Sequence, residues 1–165
     1  MDALALLREQ ATTADSLLTQ VVANLTAEQA LWHLEGSTAN PIASTLMHIA
    51  FGEDRTVQRR CQGQSTIFEV GGWRARIGFD PDAPWAPVSS VDPDAVRSYA
   101  AEVRAATERF LAAVQPADLE RELEGPRGRR PMLAILSLLL VIHKANHTGE
   151  IAALLGSQGV RGFPF

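Results

Sequence analysis

The stretch MLAILSLLLVIHKANHTGEIAALLG, Met132 to Gly156, decides how this chain is read. From Met132 to Ile142 it is apolar apart from Ser137, and two imidazoles then follow four residues apart, His143 and His147. Residues at i and i+4 stack on one face of an α-helix. Met132, Leu136, Leu139, His143, His147, Glu150 and Leu154 therefore form a single stripe, apolar at first and polar over its middle turns. A buried polar group without a partner costs about 1–3 kcal/mol, so two imidazoles and a carboxylate on a core-facing stripe need compensation. A divalent metal is one such partner, and imidazole suits Zn, Ni, Cu and Fe alike. Histidines satisfied within the core, or an exposed chance pair, are the competing reading. A metalloprotease helix is excluded, because Lys144 stands where its general-base Glu belongs.

An apolar run of 11 residues is short of a bilayer span, so no membrane is expected as a partner. A helix apolar on all sides lies at the centre of a bundle or between subunits. Leu138 and Val141 face away from the histidine stripe and are the residues expected in a homodimer contact. The whole chain, 165 residues, is the length of one domain. Its net charge of −4, without a long basic tract, argues against nucleic acid as a partner. The single cysteine, Cys61, has no mate for an internal disulfide, which fits a reducing cytoplasm. The opening MDALALLREQ carries Asp2 rather than basic residues before its leucines and does not read as a secretory signal. A cytoplasmic location is expected.

Working toward the N-terminus, Leu4, Leu7, Ala11, Ala14, Leu18, Val21 and Leu25 repeat in steps of three and four, which predicts a helix over about 2–24. Asn40-Pro41 supplies an N-cap and a first-turn proline, and Ile42, Leu46 and Ile49 continue a second helix to about Cys61. Asp92-Pro93 repeats that signal, with Val96, Tyr99, Val103, Phe110 and Val114 on the third helix. Pro116 starts a short helical piece, PADLER, and Pro131 opens the last long helix, ending near Gly156. Four long helices with mostly short joins read as an all-α four-helix bundle.

The exception is the long connection between the second and third helices, Gly63 to Val91, which holds Pro81, Pro84 and Pro87. Such a length in a compact domain is either functional or disordered, and Phe68, Trp73, Phe79 and Trp85 argue against disorder. The segment is expected to fold over one end of the bundle. Arg127, Arg129 and Arg130 form a basic cluster in a Gly/Pro turn, read mainly as solvated.

Two histidines need a third ligand. His33 lies in WHLEGSTAN, a predicted loop, and His48 lies mid-helix among the small residues Ser44, Thr45 and Gly52. By ideal counting His48 sits about 120° from the Ile42/Leu46/Ile49 stripe. That offset is tolerable if the second helix contacts two neighbours. Periodicity alone does not choose between them.

NPIASTLMHIAFGEDRTV (40–57), GGWRARIGF (71–79) and the terminal HKANHTGEIAALLG (143–156), in that order, resemble the DinB-like superfamily of bacterial metal-binding four-helix bundles, over nearly the whole chain. The resemblance implies His48, His143 and His147 as ligands of a divalent ion, Zn, Ni, Mn or Fe. Members include thiol-dependent transferases and isomerases. It therefore implies a metal-dependent thiol transferase or hydrolase acting on a small-molecule substrate, with a low-molecular-weight thiol as the second cofactor in the transferase case. Three imidazoles leave coordination positions open, as catalytic sites do. Glu150 is the candidate catalytic residue, as general base for bound water; a hydrogen bond to an imidazole or a packing role is the favoured reading of it, and a fourth ligand position the remaining one. Family members often carry Gln there. The alternative function is a non-catalytic metal- or ligand-binding stress-response bundle. Trp32 is read as core packing and His33 as a loop residue. Trp73, with Arg74 and Arg76, either lines the mouth of the site or anchors its loop.

Overall fold

The computed structural model describes residues 2–81, 92–125 and 128–163. Asp2 caps α1 (Ala3–Val21), its carboxylate accepting from the Ala5 amide at 2.8 Å. Leu4, Leu7, Ala11, Ala14 and Val21 are buried along one seam of that helix. Leu25 is buried too, although the helix has ended before it. Thr26 and Gln29 then form a reciprocal capping box that starts a short helix, α2 (Ala27–Leu31).

The second long helix begins one residue later than its Asn-Pro signal suggests. Pro41 occupies the N-cap with no side-chain cap, and α3 (Ile42–Asp54) runs on into a π-helical stretch, Arg55–Cys61. Apart from His48 and the end near Phe51 and Gly52, α3 is buried from Ile42 to Asp54. It packs against α6 (Pro93–Ala113) and α8 (Lys144–Ser157). Contact with several neighbours is what allows His48 to depart from the Ile42/Leu46/Ile49 stripe and still face another helix.

The long connection is not featureless. Two short helices, α4 (Ile67–Val70) and α5 (Trp73–Ile77), lie against α6, the first started by a Thr66/Glu69 capping box. α5 ends at Gly78, whose φ of 75° is left-handed backbone that glycine adopts without strain. Asp54 fixes this segment to the bundle. Its carboxylate accepts from the amides of Ile67 and Phe68 at 3.0 and 2.9 Å and from the Tyr99 hydroxyl at 2.7 Å. Burial pushes the Asp54 carboxyl above its ordinary range, against those three hydrogen bonds, which pull it down. Burial, with Asp54 beside it, raises the Tyr99 phenol. Trp73, 3% exposed, packs on Tyr99 with ring centroids 5.5 Å apart, and the Arg76 guanidinium lies over the Trp73 ring, 3.8 Å from its centroid. Trp73 therefore anchors its segment rather than lining an opening. Trp85, Pro84 and Pro87 lie outside the described residues.

Asp92 and Pro93 start α6 as their signal predicts. After it come a 3-10 turn (Pro116–Glu120) and an antiparallel hairpin, β1 (Glu122–Gly125) with β2 (Gly128–Pro131), where sequence reading expects only a basic turn. Arg129 faces Glu122 and Glu124 at 3.5 and 3.7 Å, both exposed pairs; Arg127 lies outside the described residues.

The final helical run is continuous from Met132 to Ser157: α7 (Met132–Leu136), a π-helical stretch Ser137–His143, and α8. At 26 residues it is long and apolar enough to cross a bilayer by length and composition, which the 11-residue run alone is not. Core helices of soluble proteins pass the same test. Here the run packs against α1 and α3 and buries Leu140, Lys144, Thr148 and Ile151. Beyond it the chain passes so close to α8 that a Cβ on Gly162 would lie 2.3 Å from the Ala152 carbonyl oxygen.

Candidate metal centre

His48 comes from the middle of α3, His143 from the last position of the π-helical stretch, and His147 from the first turn of α8. Their three rings converge, with centroid separations of 4.8 Å (48 to 143), 5.0 Å (48 to 147) and 4.6 Å (143 to 147). One nitrogen from each lies within 4.8 Å of the others. His48 Nε2 and His143 Nε2 are 2.9 Å apart. Two imidazole lone pairs at that distance repel unless a proton or a cation stands between them. Gly52, one turn beyond His48, lies alongside: a Cβ there would be 3.7 Å from His143 Cε1. All three histidines are half-buried.

Burial lowers the His143 pKa to about 4, with His147, His48 and Lys144 adding in the same direction. His48 is lowered too, first by burial and then by His147, with Glu150 opposing. Both rings are thus neutral at pH 7 and offer lone pairs, the form in which histidine ligates a metal. His143 Nδ1 is buried without a hydrogen-bond partner among the described residues. His147 Nδ1 and Glu150 Oε2 are 2.7 Å apart. With Nδ1 protonated, His147 donates to Glu150 and presents Nε2 bare, the arrangement in which a carboxylate fixes the tautomer of a metal-binding imidazole. The donor set fits a borderline divalent ion such as zinc or nickel.

The family model of the DinB superfamily matches residues 10–151. The chain belongs to the DinB superfamily. Among solved structures it is similar to a conserved protein from Enterococcus faecalis, at 14% identity, with a TM-score of 0.76 over 93% of this chain and 95% of that one. At that identity the likeness shows the all-α DinB fold alone. No curated protein matches the chain.

In this DinB bundle the residues expected at the site, His48, His143, His147 and Glu150, are neighbours, and His33 is exposed in the loop after α2. The arginines of the hairpin are remote. β2 ends at Pro131, and from Met132 to His143 the chain advances roughly 16 Å at about 1.5 Å per helical residue.

Sequence reading misses the role of Lys144. It is 2% exposed, its ammonium paired with Asp15 and, at 2.7 Å, with Glu53 Oε2. Burial lowers the Lys144 pKa, but Glu53 and Asp15 outweigh it and hold the ammonium protonated. The only sequence signal is a lysine inside an otherwise apolar and imidazole-bearing helix, with Glu53-Asp54 at the end of a buried one.

Proposed function

We propose that this DinB-superfamily protein is a divalent-metal-dependent enzyme of the thiol-transferase or hydrolase type, with His48, His143 and His147 as ligands. The observation that supports the reading is the convergence of three half-buried imidazoles from two helices within 4.8 Å. A divalent ion bound there would lower the pKa of a thiol or water and polarise a substrate carbonyl. Neutral His48 and His143 supply lone pairs; His147 is oriented through its Nδ1–H to Glu150. The Glu150 side chain is 37% exposed, against 21% for His147, so it reaches solvent from the edge of the cluster. In this proposal the Glu150 carboxylate takes the proton given up by the attacking thiol or water.

A low-molecular-weight thiol is the proposed second cofactor and a small electrophilic molecule the substrate. The protein is proposed to act in the cytoplasm as a homodimer joined through the face of Leu138, Val141 and Ile142, of which Ile142 is 53% exposed.

The test is turnover by metal-loaded protein. Thiol transfer to electrophiles and hydrolysis of activated esters are followed for the parent, His147→Ala and Glu150→Gln. Turnover by the parent, abolished in His147→Ala and reduced about 10²-fold or more in Glu150→Gln, is the expected result. Metal bound by the parent with no turnover of either kind would reject the enzyme in favour of a metal-binding bundle.

A further inference from the structure

A cavity of about 250 Å³ lies between α1, α3, α6 and α8, and none of the three histidines lines it. Its walls are mostly hydrocarbon: Leu18 and Val22 from α1, Leu46 and Ala50 from α3, Val96 and Ala100 from α6. Its polar lining is the buried pair Glu53 and Lys144, the half-buried Asp15, and Arg104 from α6. Lys144 bonds to Asp15 and to Glu53 Oε2, but Glu53 Oε1 is buried with no hydrogen-bond partner among the described residues. Glu53 is 4% exposed.

An acceptor in that condition carries the desolvation cost of a charged group with nothing in return, about 1–3 kcal/mol or more. Lys144 and Arg104 both act on Asp15, whereas Glu53 has Lys144 alone among the described residues, bonded through Oε2. Arg104 acts on Asp15, drawing its carboxyl down, and its guanidinium also donates to Thr19 Oγ1 at 3.0 Å and faces Glu108 at 3.9 Å, so none of its recorded partners is Glu53. A bound anion would add a third negative charge, and a purely apolar ligand would leave Glu53 Oε1 unsatisfied. An ammonium donates to Glu53 Oε1 and sets a positive charge against the carboxylate.

We propose that this cavity binds a small apolar primary amine, its ammonium donating to Glu53 Oε1 and its hydrocarbon part lying against Leu18, Val22 and Ala100. An apolar cavity of about 150 Å³ accommodates benzene, so about 250 Å³ suits a ligand of roughly ten heavy atoms. Phenethylamine is of that size. The site shares no lining residue with the three histidines and does not depend on the function proposed for them.

The test is titration of the full-length, metal-treated protein with phenethylamine, followed by calorimetry and by NMR shift changes. Saturable binding is expected, weakened about tenfold or more in Glu53→Gln, in line with loss of a charge-assisted hydrogen bond. Ala100→Phe, which fills the cavity without touching the ion pairs, abolishes it. His147→Ala leaves the affinity unchanged, so failure of the metal site would not be mistaken for failure of this one. Circular dichroism checks that each variant folds, and if Glu53→Gln does not, Ala100→Phe decides. No saturation at millimolar amine, or binding that survives Ala100→Phe, would overturn the proposal; equal affinity for phenethyl alcohol would overturn its ammonium component.

Discussion

His143 joins both halves of the site's physics, since the burial that keeps its ring neutral also makes its protonation costly to the fold. Its pKa falls from 6.5 to about 4 on folding. A group depressed in the folded state contributes stability that is present above its unfolded pKa and is lost as pH falls through the folded one. The metal-free protein therefore loses stability from about pH 6.5 down to about pH 4 on account of this ring. Asp15 and Asp54 are shifted upward by burial and act in the opposite sense, so the informative quantity is the difference between parent and His143→Gln. Thermal melts between pH 7.5 and 4.5 should show the smaller acid loss in the variant. Identical slopes would contradict the assignment. Lys144 gives a sharper expectation. Lys144→Met would leave the buried Glu53 carboxylate without its ammonium and the half-buried Asp15 with Arg104 alone, and urea denaturation should show a loss of about 3–5 kcal/mol. A loss below about 1 kcal/mol would mean that the pair is solvated.

Among the elements, the long helices and the short turn opened by Pro116 were legible, and the other short elements were not. Stepwise apolar repeats and the Asp92-Pro93 start mark α1 and α6 because such helices carry one buried face. The same ideal counting leaves His48 about 120° off its stripe, since it assumes one buried face for a helix that is buried on several. The capping boxes that start α2 and α4, Thr26 with Gln29 and Thr66 with Glu69, stand plainly in the sequence. They escape notice because helices of four or five residues have no periodicity to confirm them. The hairpin is hidden for a related reason, its strands being four residues each and largely exposed. Asp54, which holds α4 in place, offers no local signal at all, as its partners lie 13, 14 and 45 residues away. Asp54→Ala should cost about 2–3 kcal/mol and raise amide exchange selectively across 67–77. Uniform exchange along the chain, or no change there, would show that Asp54 is not the fastening.

For the whole molecule, membership of the DinB superfamily and the convergence of the three histidines rest on order as much as on motif. An HxxxH pair alone is common; His48, the GGWRARIGF segment and HKANH in sequence are what mark the bundle. The buried Lys144 group and its cavity were not legible, because they are assembled by residues from separate helices with no shared periodicity. Assembly into a dimer is expected to use the Leu138, Val141 and Ile142 face. Light scattering should give twice the chain mass of 17.9 kDa, and Ile142→Glu should return the monomer. A monomeric parent would remove the dimer from the account.

The central claim is tested most directly by elemental analysis of untagged protein purified without chelator, beside His48→Ala and His147→Ala. The account predicts near one divalent ion per chain in the parent and background levels in both variants, each still folded. A parent that holds no metal and takes up neither Zn, Ni nor Mn on addition, or variants that keep the parent's metal, would contradict it.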